Sequence, residues 1–368
     1  MPATDTPSHA APFISRERIV WVDAARGIGI MLVALVHVAA LTRVYQANTF
    51  VLPFFFFLSG LSCAFSRQEN FISRRVRGLL FPYFVFGLLS FLYWALLERY
   101  YRPPGAIDAL GAFVNIFYAG GGDKYPFNAP LWFLPCLFML ETGYYVMRRF
   151  IAARGFRIVL LVLCAIAGFA ISGVAPFSPA FTLPFRLPWM LDTAMLGIVF
   201  YAAGVALGKN RFLVEQGAVR FPRLLATAAA GCALCIALAV FFPAPINLSE
   251  LELPNPLQFY CMSLAGIAGA CALAMCFPAA WLCMLGRYSL TIMCVHEPIK
   301  RLVIKGASVI SGMDVLALRQ WPVSILAMTA VTLIVSMLLA MFISKYCPWM
   351  TKGVPLPAFL QRRGTPRI

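Results

Sequence analysis

Apolar runs of about 20 residues, the length a helix needs to cross a hydrocarbon core of about 30 Å, recur along nearly the whole of this 368-residue chain. Bounded by charge, proline and glycine, they place spans near 27–45, 50–66, 79–97, 129–147, 158–174, 189–208, 224–242, 258–280, 288–304 and 321–344. Hydrocarbon offers no water to a free N–H or C=O, so such runs must close their hydrogen bonds as helices. The fold class that follows is all-α: a polytopic membrane helical bundle of about ten transmembrane spans. Composition agrees, with 61% hydrophobic and 12% charged residues against about 45–50% and about 25% in soluble domains.

Between the spans the connections are mostly short, the longest running from Glu98 to Phe127, and none accommodates a separate folded module. The domain plan is an N-terminal tail over 1–20, a membrane unit over 21–345 and a C-terminal tail over 346–368. The residues before Trp21 are polar and lack the short apolar core and cleavage site of a secretory signal, so the first span is expected to remain as an anchor.

A net charge of +16 points to nucleic acid in a soluble protein, but in a membrane protein the distribution of charge over the loops matters more than the sum. An even number of spans puts both termini on one side. That side holds 21 of the 30 lysines and arginines, leaving 9 for the other, and the positive-inside rule then makes both termini cytoplasmic. No nucleic-acid partner is expected; the expected surroundings are membrane lipid. The eleven cysteines lie mostly inside apolar runs, where they pack as small hydrophobes. Cys232 and Cys235 form a C-x-x-C with no second pair or histidine nearby, so no metal is expected.

Ionisable groups inside spans are costly and mark function. They are few: His37 near the middle of the first span, Glu141 in the fourth, Asp192 near the outer end of the sixth, and His296 with Glu297 in the ninth. Arg26 precedes His37 by eleven positions, about three turns and about 16 Å, which puts both on one helix face. A cation at the surface and an imidazole deeper on the same face suit a long ligand with an anionic head and a reactive tip. Arg74, Arg75 and Arg77 crowd the second cytoplasmic connection and suit phosphates, with a positive-inside anchor as the competing reading. Arg148 and Arg149 are read as anchors. Ser59 follows four phenylalanines and precedes Gly60, a pair that permits close helix approach; its hydroxyl has no base at a defined spacing. Trp132 sits between Pro130 and Pro135 in a helix suited to lining a cavity.

Together these stretches resemble the acyltransferase-3 family of bacterial membrane O-acyltransferases. Asp23-Ala24-Ala25-Arg26-Gly27 with His37 resembles its opening Arg and His separated by ten residues, and Pro53 to Gly60 its Phe-Phe-x-x-Ser-Gly segment. The run from Arg74 to Tyr83 resembles its arginine-rich loop before Leu-Leu-x-Pro-Tyr, and Leu131 to Leu134 its Leu-Trp-Phe-Leu. Leu285 to Leu290 with His296 resembles its late Leu-Gly-x-x-Ser-Leu and histidine.

Five motifs in order, from residue 23 to 296, cover the whole membrane unit. The resemblance implies ten spans in the inner membrane, an acyl-CoA donor, most simply acetyl-CoA, on the cytoplasmic side, and as acceptor a hydroxyl of a surface or lipid-linked glycan. His37, His296 and Glu141 are the expected catalytic residues, Arg26, Arg74, Arg75 and Arg77 the expected cofactor-binding set, and Ser59, Trp132 and Glu297 the expected substrate-binding set. His37 is the expected general base, a covalent acyl intermediate on it being the alternative. Some relatives carry an extracytoplasmic hydrolase-like domain; here transfer is expected to finish within the bundle or with a separate partner. The competing function is a transporter or flippase for a glycan or lipid precursor, whose paired halves find no internal repeat in this sequence.

Overall fold

The computed structural model describes residues 19–66, 69–101, 108–120, 127–172, 186–210, 221–243 and 247–352. These residues are helical throughout apart from turns and a single isolated bridge, Asn247 with Glu252. Helix α1 runs Val20–Val38, α2 Thr42–Ala47, α3 Val51–Ala64 and α4 Phe71–Glu98. Then come α5 Ala109–Tyr118, α6 Phe133–Phe150, α7 Arg154–Ser172, α8 Leu191–Gly208 and α9 Phe221–Phe241. The last group is α10 Pro256–Cys276, α11 Ala280–Arg287, α12 Ser289–Ser311, α13 Val315–Leu318 and α14 Pro322–Tyr346.

Eight stretches among the described residues are long and apolar enough to cross a membrane, with α2 and α3 counted as one. Helices α6 and α12 are of similar length but carry charge, at Glu141, Arg148 and Arg149 in the first and at Glu297, Lys300, Arg301 and Lys305 in the second. Helix α1 sits at the centre, packed on α3, α10, α11, α12 and α14. Helices α7 and α9 are peripheral and bury few of their residues.

Glycines set the closest crossings, as the Ser59-Gly60 pair foretells. A Cβ on Gly60 would strike the backbone of Tyr201, and one on Gly204 the backbone of Phe57, so α3 and α8 touch main chain to main chain. Without a hydrophobic drive between helices in lipid, such small-residue contacts supply the packing. Gly27 against Leu282 and Gly286 against Asp23 join α1 to α11 in the same way.

The first helix departs from the expected 27–45. Its charged residues lie inside it, because buried Asp23 is neutralised by Arg26 and Arg287, each at 3.6 Å. At the other end the chain leaves the helix at Ala39, in extended conformation. His37 therefore lies in the last turn and not near mid-span, and Arg26 lies nearly two turns inside the helix and not at its start. The connection after Glu98 also contains α5, whose first turn is capped by the Asp108 carboxylate accepting from Gly111 N at 2.7 Å.

Candidate active site

His37 is placed by two interactions made far apart in sequence. Its Nδ1 lies 2.7 Å from the Val33 carbonyl one turn back, so Nδ1 carries the proton and Nε2 keeps a lone pair. The last carbonyls of α1 have no helical partner. Arg319, between α13 and α14, takes them: Nε donates to Val38 O at 2.9 Å, and Nη2 to His37 O at 3.2 Å and Ala39 O at 3.4 Å. Its own carbonyl accepts from Ala40 N at 2.9 Å. A guanidinium at a helix C-terminus satisfies orphan carbonyls and the negative end of the dipole together.

His296 on α12 meets His37 edge to face, with ring centroids 5.2 Å apart. Its Nδ1 is 2.8 Å from Met293 O, and its Nε2 is buried with no hydrogen-bond partner. Both imidazoles thus hold the same tautomer and present a free Nε2. Helix α12 carries in its interior Pro298, which has no N–H for the carbonyl four residues back, Cys294 O. Asn128 Nδ2 satisfies that carbonyl at 2.8 Å and also donates to Ser90 Oγ at 3.0 Å.

Glu297 does not pair with His296. Lys300 Nζ donates to both of its oxygens at 2.8 Å, and Arg301 Nε to one at 3.1 Å. Arg301 also reaches Glu98 at 2.9 Å, at the end of the second of two π-turns in α4. Two carboxylates and two cations close into a neutral buried network beneath the histidines. Ligand atoms of His37, His296 and Glu297 lie within 4.8 Å of one another, but a metal ion there would share its carboxylate with two fixed cations, so the donor set fits a cation poorly.

His37 opens on a cavity of about 140 Å³, lined also by Tyr45, Asn48, Trp132, Asn247 and Ser249. Trp132, expected at the substrate, shares it. Asp192 is held away from it: Arg186 clamps the carboxylate at 2.6 and 2.8 Å and also bonds the carbonyls of Leu248 and Ser249. Asp192 thereby anchors the loop that forms one cavity wall.

The remaining predicted residues gather at the opposite end of α1. Glu141 is buried, ion-paired to Arg75 at 2.6 Å and hydrogen-bonded by Ser59. Arg26 donates to Ser62 Oγ at 2.6 Å. Ser59 and Glu141 therefore belong to the arginine end and not to the histidine pair. Arg77 Nε is buried without a hydrogen-bond partner, and Arg74 lies in the first turn of α4. Arg319 and Asn128 were missed by sequence reasoning. The one signal for Asn128 was Pro298, which announces an orphaned carbonyl without saying what fills it.

A family model described as an acyltransferase domain matches residues 19–341. No curated protein matches the chain, and no solved structure does.

Proposed function

The chain belongs to the acyltransferase-3 family, and from that premise we propose that it moves an acyl group, most simply acetyl, from coenzyme A to a hydroxyl of a surface or lipid-linked glycan. The observation that carries the reading is the His37 Nε2, left as a free base by the Val33 hydrogen bond and set at a cavity wall. The acceptor hydroxyl gives its proton to this nitrogen as its oxygen attacks the thioester carbonyl. The tetrahedral intermediate then collapses, the carbon–sulfur bond breaks, and the imidazolium returns the proton to the departing thiolate. His296 packs the ring into position and offers a second free Nε2 beside the first. Trp132 on the cavity wall suits a sugar face.

The donor enters from the arginine end, which we take to be cytoplasmic, with both termini on that side of an inner membrane. Arg26, Arg74, Arg75 and Arg77 surround that entrance. Arg75 fixes Glu141 there and Ser59 locks the same carboxylate, so Glu141 serves the donor end and not proton transfer. No observation favours a transporter.

Mass spectrometry of glycans from cells with and without the gene tests the reaction; a loss of one acyl mass is expected on deletion. His37→Ala should fold, bind coenzyme A and lower transfer by about 10²–10⁴-fold, the range for losing a general base. His296→Ala should cost less. A larger loss at His296 than at His37 would move the base to α12, and unchanged glycan mass would end the glycan reading.

A further inference from the structure

A second cavity, of about 310 Å³, lies at the arginine end, lined by Cys63, Phe71, Tyr144, Tyr145, Tyr201 and the pair Arg148 and Arg149. That volume falls within the range of small-molecule sites. Its walls are aromatic: Phe71 and Tyr145 stack with centroids 4.8 Å apart, and Tyr144 meets Tyr201 edge to face at 5.1 Å. The Tyr201 hydroxyl is buried without an oxygen or nitrogen partner.

Arg26 and Arg75 have acids of their own at 3.6 and 2.6 Å. Arg148 and Arg149, read from the sequence as anchors, differ: both are exposed, and neither has a carboxylate partner among the described residues. The charge around them is uncompensated. Lys209, just past the end of α8, has its ammonium pKa pushed down by Arg148 first, then by partial burial, Arg157 and Arg154. An aromatic-walled cavity rimmed by unpaired arginines matches a nucleotide, whose base stacks on rings and whose phosphates take bidentate guanidinium bonds.

Position supports the same ligand. Phe71 also lies under the Arg75 guanidinium, 4.9 Å from it, so this cavity adjoins the arginine cluster. Helix α6 carries Phe133 at the histidine cavity and Tyr145 at this one, twelve residues or about 18 Å apart along the helix. That is the length scale of an extended phosphopantetheine arm.

Resting on the acyl-CoA reading above, we propose that the cavity between Phe71, Tyr144, Tyr145 and Tyr201 receives the adenosine 3′-phosphate end of the donor, with Arg148 and Arg149 holding its phosphates. Anionic lipid headgroups offer the same phosphate chemistry, and the experiment separates the two. Full-length protein in phosphatidylcholine nanodiscs is titrated with coenzyme A, 3′-dephospho-coenzyme A and adenosine 3′,5′-bisphosphate by calorimetry. The variants are R148Q/R149Q, Tyr145→Leu and, as a charge-matched control at the same end, R154Q/R157Q.

The bisphosphate should bind wild type and compete with coenzyme A. R148Q/R149Q should weaken coenzyme A by about ten- to a hundred-fold and 3′-dephospho-coenzyme A by less, raising KM for the donor while kcat is kept. Tyr145→Leu should weaken all three probes.

Equal losses in R154Q/R157Q would reduce the effect to general charge and overturn the assignment. Unchanged coenzyme A binding in R148Q/R149Q, with thermal stabilisation of wild type alone by phosphatidylglycerol nanodiscs, would give the cavity to lipid. If wild type binds no coenzyme A and transfers nothing from acyl-CoA, the donor reading falls as well. Wild-type binding with an indifferent R148Q/R149Q removes this inference alone.

Discussion

On the proposed reading His37 serves as a base because its neighbours leave one nitrogen nothing else to do. Val33 O accepts the Nδ1–H hydrogen bond, and Arg319 donates to the carbonyls of residues 37 to 39 that the end of α1 leaves open. Among the described residues Arg319 hydrogen-bonds one cavity residue, His37, through its backbone, so we treat it as a positioning residue. Replacing it with Gln removes charge-assisted bonds of the class worth about 1.5–3 kcal/mol and frees the last turn of α1. Transfer by Arg319→Gln should fall about ten-fold or more, with coenzyme A affinity unchanged and partial recovery in Arg319→Lys. If donor affinity falls in step with transfer, Arg319 matters for the whole fold and not for the placement of His37.

At the scale of helices, α3 carries Ser59 to Glu141 on α6 and Ser62 to Arg26 on α1, and its own place is set by its contact with α8. That contact depends on Gly60, Gly204 and Gly208, where an added Cβ would meet backbone that cannot rotate away. Gly204→Leu should lower the thermal unfolding midpoint, since overpacking a close contact costs about 1–3 kcal/mol or more. Gly143→Leu on α6, where a Cβ meets nothing within 4 Å, should leave the midpoint near wild type. Thermal scans in detergent, read by intrinsic fluorescence, check both. Equal midpoints for the two variants would mean that α3 and α8 pack more loosely than their glycines require.

Over the whole molecule, charge is segregated by depth and by partner. The buried acids Asp23, Glu98, Glu141, Asp192 and Glu297 each pair with an arginine or lysine, and the pairs lie among the packed helices. The faces of α7, α9 and α14 turned outward are apolar. On the proposed plan of ten crossings the termini share a side, and by the positive-inside rule the loop charges are expected to put that side in the cytoplasm. A C-terminal reporter active only outside the cytoplasm should therefore stay silent. Activity from it would mean an odd number of crossings and would reverse the proposed donor side.

The sequence by itself determined the helical fold, because hydrocarbon-length apolar runs have no other way to satisfy their backbones. It also identified the family, through motifs spread along the membrane unit, and it picked out His37, His296, Trp132 and the arginine cluster as the polar residues to follow. It misjudged where α1 begins and ends, since Asp23 and Arg26 looked like a boundary until Arg287 arrived from α11 to neutralise them. Tertiary structure alone decided the pairings: Arg319 with the end of α1 from 282 residues away, Ser59 with Glu141 across 82 residues, Asn128 with the carbonyl that Pro298 abandons, and Arg148 and Arg149 at a cavity. In a membrane the lipid-facing and core-facing sides of a helix are equally apolar, so a hydrophobic pattern fixes neither the rotation of a helix nor its neighbour. Those depend on where small residues let two backbones meet, which exists only once the helices are assembled.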